Sequence, residues 1–504
     1  MSLKKSKVNH EIIKLKGEIS VFFETLKEVF QTFGSPVFVP VIIFIISKIL
    51  KVNNKKAFFS ALYAGVGLEG FTLLLNAFTP IITPVVKSMV ENTGIQLPVF
   101  DVGWQATALV AYSTEAGMIF LGVGLLVQTV LFLTRWTDVF QPGDLWNNYS
   151  YMVWGSMIYM VTKNMILSLG CMILLNMYSL LIAELIAKRW STYYKYPNCT
   201  IIAMHNIEAA LFTVAFDPIL NAFGLNKIKL SPEELQKKLG FFGEPVSLGL
   251  LLGIFIGIMG NFKALGTLAA WGQVATMGIA TSAIMAIFPR VAGLFAQAFL
   301  PITDAAKKSV KNGSKSRKWY LGVNDATGYG EPATLISGII LIPIMVFMAL
   351  ALPGNQVLPV VDLLALPFMV QGIVPLVNGN IFKVLITGTI WFSAGLYMCT
   401  YTAPMFTDIC ASVGVHLPVG ALLITSFNIL GKPLMGLVFL AFLSQSPVLI
   451  GIAVAVYLVL YVSFRKNKEA VYDYLDQNAL KNTAEEAKSE ITAIHKGREE
   501  MQGG

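Results

Sequence analysis

The chain has 504 residues, of which 55% are hydrophobic and only 13% are charged, and its formal net charge is +8. This composition is typical of polytopic membrane proteins and excludes soluble folds. The four cysteines form no CxxC pair, so no disulfide framework, metal site or cofactor is predicted. The basic clusters lack interleaved aromatic residues, and nothing indicates binding to nucleic acid.

The two ends of the chain differ from its apolar middle. Residues 1–33 alternate charged and apolar side chains, which predicts an amphipathic helix at the membrane interface and not a signal peptide. Residues 465–504 are highly charged and are predicted to form a helical cytoplasmic tail. Basic residues open this tail, and a second basic cluster lies within 307–318, so the positive-inside rule places both in the cytoplasm.

Apolar segments fill residues 34–464 and predict an all-α transmembrane domain. A spanning helix needs about 20 residues, so the apolar length predicts about ten to twelve membrane elements, some of them broken. Segment 80–99 is too polar to span and is predicted to be a helix that lies in the membrane interface or dips into it. Residues 433–464 are predicted to form one long span. Other predicted spans are 58–75, 117–134, 151–162 and 165–182.

Three ionisable residues in apolar surroundings are candidate ligand-binding residues. Glu69 lies within a predicted span, where a lone charge is expensive and is either functional or turned toward protein. Asp101 opens an apolar segment, where an aspartate is more commonly a helix cap. A lone histidine such as His205 is more often a satisfied interior residue than a ligand. It is kept as a candidate because intramembrane ionisable residues are functional by default.

Two short segments share one pattern, FGEPVSL and YGEPATL. Proline suits the first helical turn and pushes the preceding residue out of the helical region, so Glu244 and Glu331 are predicted at helix starts. Helix N-termini offer free N–H groups and positive potential, while Gly243 and Gly330 allow close backbone approach. We therefore predict that these four residues bind an anionic or hydroxyl-rich ligand. The alternative is an ordinary capped helix at the membrane surface.

An internal duplication is predicted from matching segments. Residues 54–99 superimpose on residues 378–419, with shared turn residues and a shared Leu-Pro-Val triplet. Together with the paired Gly-Glu-Pro segments, this match predicts two halves, 34–240 and 241–464. The expected architecture has inverted repeats, with broken or re-entrant helices around a central site between the halves.

Several segments resemble one bacterial family. The segments DVGW, FPR, LPGN and APMFT and the segment around His205 follow the order of the galactitol-type enzyme IIC, the membrane component of the phosphoenolpyruvate-dependent sugar phosphotransferase system. The resemblance covers nearly the whole membrane region. The family often has histidine at the position of Glu331 and small residues at Asn206 to Glu208, so these departures leave the exact substrate open.

The resemblance implies a homodimeric permease, surrounded by lipid, in the bacterial cytoplasmic membrane. Its core moves against a dimerising scaffold and binds a galactitol-like hexitol or related sugar. A phosphocysteine on a separate enzyme IIB, supplied through enzyme IIA, phosphorylates the sugar as it emerges. The resemblance therefore implies that this chain performs no covalent chemistry itself.

An ion-coupled secondary transporter of a small polar solute is the main alternative. In that case Glu244, Glu331 and Asp217 carry protons or sodium ions. A membrane transferase is disfavoured because the sequence has no HxxxxD or DxD constellation. A sensor or scaffold is distinguished by binding without transport.

Overall fold

The described part of the chain is built mainly of α-helices, with two small parallel sheets between them. The structure, a computed structural model, describes residues 51–92, 97–141, 145–228, 230–311, 317–413 and 422–502, together with parts of 37–48. The predicted N-terminal amphipathic segment, residues 1–33, lies outside the described residues.

The predicted all-α polytopic fold is confirmed. Within the described ranges, seven helices are long and apolar enough to cross a membrane. The helices, labelled α1 to α17 along these ranges, are Asn54–Glu91, Trp104–Ser113, Glu115–Leu133, Leu145–Thr162, Met165–Tyr193, Met204–Ile207, Ala209–Ala222, Pro232–Leu239, Pro245–Gly260, Leu268–Lys311, Ala326–Tyr329, Pro332–Ala351, Leu366–Met369, Ile381–Ser412, Phe427–Leu430, Pro433–Leu443 and Pro447–Gln502.

Short strands link the helices in two separate parallel sheets. One sheet has the order β5-β1-β6 and the other has the order β2-β4-β3. Their residues are mostly apolar and buried, as expected for parallel strands covered on both faces. The strands β1 to β6 are Val99–Asp101, Val139–Phe140, Cys199–Ile201, Tyr320–Val323, Val357–Leu358 and Leu423–Thr425.

The chain passes twice through the same series of elements. The first series is α1, β1, α2, α3, β2, α4, α5, β3, α6 and α7. The second is α10, β4, α11, α12, β5, a short helical stretch at 362–372, α14, β6, α15 and α16. Each sheet takes its central strand from one series and both outer strands from the other. Each sheet therefore combines strands from both series.

This series pairs α5 with α14 and α1 with α10. The predicted superposition of residues 54–99 on 378–419 instead pairs α1 and β1 with α14 and β6, which follow one another in the same order. The second Leu-Pro-Val triplet, at 417–419, lies outside the described residues, and the predicted duplication stays a prediction. Glu331 caps α12, whereas Glu244 caps α9, which precedes the second series. Both Gly-Glu-Pro segments therefore begin helices, at places that do not correspond in the two series.

Two predicted spans are confirmed and two are corrected. Segments 117–134 and 165–182 lie in α3 and α5, which are both long and apolar enough to cross a membrane. Segment 151–162 lies in helix α4, which is not one of the seven such helices in the described ranges, and it stays a prediction as a span. The predicted interfacial segment 80–99 is instead largely the end of α1. Proline is tolerated in membrane helices because packed neighbours satisfy the freed backbone groups, and α1 continues through Pro80 and Pro84 against α9 and α10.

The predicted long span 433–464 is also corrected. It is divided between α16 and α17, which are separated by a turn at residues 444–446. Gln445 adopts a positive φ of 55° there, and the backbone N–H of Ser446 donates to the Ser444 hydroxyl at 3.2 Å. A polar turn therefore ends α16 before this helix is long enough to cross the bilayer.

Glycines allow α9 to pack closely against α10. Gly249, Gly253 and Gly257 recur every fourth residue along α9, and each faces α10. At the end of α9, Gly260 lies against Val85 of α1. Small residues at this spacing let membrane helices approach until their backbones touch. The three helices therefore form one tightly packed unit.

We expect Gly253→Ala to lower the thermal stability of the protein. Overpacking should reduce the free energy of unfolding by about 1–3 kcal/mol. An added Cβ would lie 2.5 Å from the backbone oxygen of Met277 and 2.7 Å from Thr281 Oγ1. The matched control is Gly272→Ala on α10, because nothing lies within 4 Å of its added Cβ. The midpoint of thermal unfolding in detergent checks this prediction, and equal midpoints for the two variants would contradict it.

A cluster of charged residues fastens the last helix, α17, to the body of the protein. Lys468 Nζ donates to Asp138 Oδ2 at 2.7 Å and to Glu184 Oε1 at 2.6 Å. Arg465 binds the same Glu184 oxygen at 2.8 Å, and Arg317 Nε binds Asp138 Oδ1 at 2.6 Å. Burial raises the pKa of Asp138, but donation from Lys468 and Arg317 outweighs it and lowers that pKa below its ordinary value. The predicted domain boundary at residue 464 falls inside α17 and stays a prediction.

Candidate functional site

Two loops meet at one edge of the sheet β2-β4-β3. Ile201 of β3 lies opposite Val323 of the parallel strand β4. The carboxyl ends of parallel strands share one edge, so the residues that follow β3 and β4 come together. The chain after β3 enters α6 with His205 and Asn206, and the chain after β4 reaches Asp325. This edge therefore brings together polar residues from both series of elements.

His205, Asn206 and Asp325 form a mostly buried polar cluster. His205 is only 3% exposed, and its Nε2 lies 3.6 Å from Asp325 Oδ2. The side-chain amide of Asn206 donates to the same oxygen at 2.6 Å. In the described chain, His205 Nδ1 and Asn206 Oδ1 have no hydrogen-bond partner. Because buried polar atoms are normally paired, these two atoms are candidates for contact with a ligand.

Gln371 and Tyr149 border this cluster. Gln371 Nε2 donates to the backbone oxygen of Asp325 at 2.6 Å, while its Oε1 has no partner among the described residues. The ring of Tyr149 meets the ring of His205 edge-on, with 5.6 Å between centroids. Aromatic side chains beside a few convergent polar groups are typical of small-molecule sites. The cluster therefore has the chemistry of a ligand site.

Asp101 is buried at the end of β1, in the other sheet. Its Oδ1 accepts from the backbone N–H groups of Gly103 at 3.1 Å and Phe427 at 3.3 Å. Its Oδ2 accepts from the backbone N–H of Asp362 at 2.6 Å. This carboxylate thus holds three loops together. Its predicted contact with substrate stays a prediction.

Asp362 continues the same network. Its Oδ1 accepts from the backbone N–H of Trp104 at 3.0 Å. Its Oδ2 accepts from the Ser426 hydroxyl at 2.6 Å and from the backbone N–H of Asn428 at 2.8 Å. Asn428 Oδ1 has no hydrogen-bond partner within the described ranges. An unpaired amide oxygen therefore lies beside each of the two sheets.

Glu331 is the N-cap of α12, and its carboxylate is bound by its own surroundings. Oε1 accepts from the backbone N–H of Ala333 and from the Tyr193 hydroxyl, both at 3.0 Å. Oε2 accepts from the backbone N–H of Thr334 at 2.8 Å and from its hydroxyl at 2.7 Å. A carboxylate offers about four acceptor positions, so a substrate contact requires one of these bonds to be exchanged.

The other predicted site residues differ in their surroundings. Glu244 is the exposed N-cap of α9 and makes no capping hydrogen bond with its side chain. Gly243 lies in the short turn that precedes it, and Gly330 is a buried residue directly before Glu331. Glu69 is exposed on α1. Their predicted contacts with a ligand stay predictions.

Sequence reasoning missed Asp325 altogether. It also treated Asn206 only as a departure from a family pattern. An available signal was that Asp325 closely follows a short apolar strand, much as Asp101 ends one. That similarity emerges only once both segments are identified as strands.

The chain is similar to known proteins over most of its length. The family model EIIC-GAT, described as the PTS system sugar-specific permease component, matches residues 28–420. The galactitol-specific EIIC component of the PTS system from Escherichia coli (strain K12) is 27% identical over 427 residues, which cover 84% of this chain and 92% of that protein. A putative permease IIC component from the same strain is 30% identical over 382 residues, which cover 76% of this chain and 86% of that protein. The chain therefore belongs to the EIIC-GAT family of sugar-specific PTS permease components.

Proposed function

We propose that this permease binds a galactitol-like hexitol or related sugar at the cluster of His205, Asn206 and Asp325. The observation that supports this most directly is the group of buried polar atoms without partners at this edge, on His205, Asn206 and Gln371. A sugar hydroxyl both donates and accepts a hydrogen bond, so a polyol satisfies a mixture of amide, imidazole and carboxylate groups. Bonds to the carboxylate are charge-assisted and about twice as strong as neutral ones.

Family membership fixes the coarser function. The chain is a multi-pass protein of the bacterial cytoplasmic membrane, and as a PTS permease component it acts on a sugar together with IIB and IIA components. Galactitol enters the proposal because one relative carries the name galactitol-specific EIIC component. The proposal further holds that a homodimer exposes the site alternately to each side and delivers the bound sugar to enzyme IIB. There the phosphocysteine transfers its phosphoryl group to a sugar hydroxyl and returns to a free cysteine.

Binding measurements with purified protein test the substrate class. Galactitol, other hexitols and hexoses are titrated by calorimetry, and we expect at least one hexitol to bind. If no hexitol and no hexose binds, the proposed substrate class is wrong.

The helix-tip glutamates are tested in the same assay. If Glu244 and Glu331 contact the sugar, we expect Glu244→Gln and Glu331→Gln each to weaken binding about 5–10-fold, because glutamine keeps the shape but loses the charge. The matched control is Glu91→Gln, whose carboxylate is exposed and lies 3.8 Å from Lys87. If Glu244→Gln and Glu331→Gln both bind sugar with the affinity of the parent, these two residues are ordinary helix caps.

A further inference from the structure

Lys432 is a buried ammonium group that the cluster described above does not include. The residue is 1% exposed, and its Nζ lies 6.0 Å from the centroid of the Phe392 ring. It interacts electrostatically with Glu208 and Asp362. Among the described residues, however, no side chain accepts a hydrogen bond from Nζ or lies within ion-pair distance of 4.0 Å. Buried charges are normally paired, so this lysine requires an explanation.

The position of Lys432 in its helix is also unfavourable. The residue is the N-cap of α16, which runs from Pro433 to Leu443. A cation at the N-terminus of a helix opposes the positive end of the helix dipole. Burial of a lysine without hydrogen bonds and its placement at this end of a helix both destabilise the free protein. A ligand that accepts a hydrogen bond from Nζ accounts for both features.

Glu208 holds the corresponding position in the first series of elements. Glu208 comes seven residues after Ile201 at the end of β3, and Lys432 comes seven residues after Thr425 at the end of β6. The Glu208 carboxylate accepts from Trp391 Nε1 at 3.1 Å and from the backbone N–H of Met435 at 3.2 Å. The backbone N–H of Leu434 also donates to this carboxylate. Glu208 is therefore held in place, and of its about four acceptor positions one remains for a ligand.

Lys432 also lies close to the cluster described above. The backbone N–H of Met435, three residues after Lys432, donates to the carboxylate of Glu208, three residues after His205. His205 and Glu208 lie on one loop, and Asp362 binds the loop of Asn428, which leads into Lys432. Among the described residues that influence His205 and Lys432, the carboxyl groups of Glu208, Asp325 and Asp362 outnumber the ammonium groups. This region therefore favours a neutral ligand over an anionic one.

We propose that Lys432 and Glu208 are specificity-determining residues that bind one hydroxyl group of a neutral polyol or sugar. The Lys432 ammonium donates to the hydroxyl oxygen, and the hydroxyl hydrogen is donated to the Glu208 carboxylate. This inference rests on the proposed function, since it places both residues at the same sugar site. The pair of residues would discriminate against sugars that lack this hydroxyl, because Lys432 and Glu208 then have no partner for their hydrogen bonds.

Lys432→Met tests this inference with two readouts. Without sugar, we expect the thermal unfolding midpoint to fall less than in the Lys383→Met control described below, because Lys432 makes no hydrogen bond or ion pair within 4.0 Å among the described residues. With sugar, we expect binding to weaken about 10–100-fold, as for other hydrogen bonds to charged groups. A residue with a purely structural role would lower the midpoint and leave the affinity unchanged.

The matched control is Lys383→Met. Lys383 is equally buried, but its Nζ lies 2.9 Å from Asp217 Oδ1 and also donates to Asn221. Its removal leaves a buried carboxylate unpaired, so we expect a lower unfolding midpoint. If Lys432→Met lowers the midpoint as Lys383→Met does, the inference is overturned.

Deoxy analogues of the bound hexitol complete the test. The parent should bind one single-deoxy analogue at least 10-fold more weakly than the hexitol, and Lys432→Met should lose that preference. Equal affinities of parent and Lys432→Met for the hexitol overturn this inference alone. Failure of the parent to bind any sugar of the panel overturns the proposed function as well.

Discussion

Replacing Asp325 with asparagine is expected to weaken sugar binding about 100-fold while the protein remains folded. The carboxylate joins β4 to α6 by accepting from the Asn206 amide at 2.6 Å, and it lies 3.6 Å from His205 Nε2. Asparagine has the same shape but removes the charge and one acceptor. The imidazole and the amide then lose their fixed orientation, and the sugar loses its charge-assisted hydrogen bond.

Titration calorimetry of the purified variant checks this prediction, with thermal unfolding as the test of folding. The control is Asp473→Asn, which makes the same chemical change at an exposed carboxylate 3.4 Å from Lys188. We expect the control to bind sugar like the parent, because exposed ion pairs contribute little. An Asp325→Asn protein with parental affinity would remove Asp325 from the site.

Asp362→Ala is expected to destabilise the protein by about 3–5 kcal/mol, the largest effect on stability that we predict. The substitution leaves the N–H groups of Trp104 and Asn428 and the hydroxyl of Ser426 without their acceptor. Each buried group without a partner costs about 1–3 kcal/mol. The loops that follow β1 and β6 also lose the carboxylate that joins them.

The yield of folded protein and the midpoint of thermal unfolding measure this effect. Asp408→Ala is the matched control, because Asp408 is an exposed aspartate on α14. Its removal should change the free energy of unfolding by no more than about 0.5 kcal/mol. Similar midpoints for the two variants would show that the Asp362 network does not hold the sheet β5-β1-β6 together.

The sequence predicts helices well where the signal is local. The break between α4 and α5 coincides with Lys163, which adopts a positive φ of 53°, and Asn164 caps the second helix. A charged residue between two apolar runs is sufficient to predict this boundary. The continuation of α1 through Pro80 and Pro84 depends instead on packing against α9 and α10, which no local pattern encodes.

The candidate site was only partly predictable for the same reason. His205 stood out because it is a lone ionisable residue in an apolar segment. Asp325 is 119 positions from Asn206 in the chain, and only the pairing of β3 with β4 brings them together. Lys432 directly precedes the predicted span 433–464, and its burial follows from the tertiary fold alone. Long-range strand pairing therefore assembles the site from residues that appear unrelated in sequence.

The most direct test of the proposed function is uptake of radiolabelled hexitol by membrane vesicles that carry this chain. Uptake is measured with and without a galactitol-type enzyme IIB and its phosphoryl donors, and with an imposed ion gradient in their absence. We predict that labelled sugar accumulates as a phosphorylated product only when enzyme IIB and the donors are present. Accumulation of unmodified sugar driven by the ion gradient alone would contradict the proposal and establish a secondary transporter.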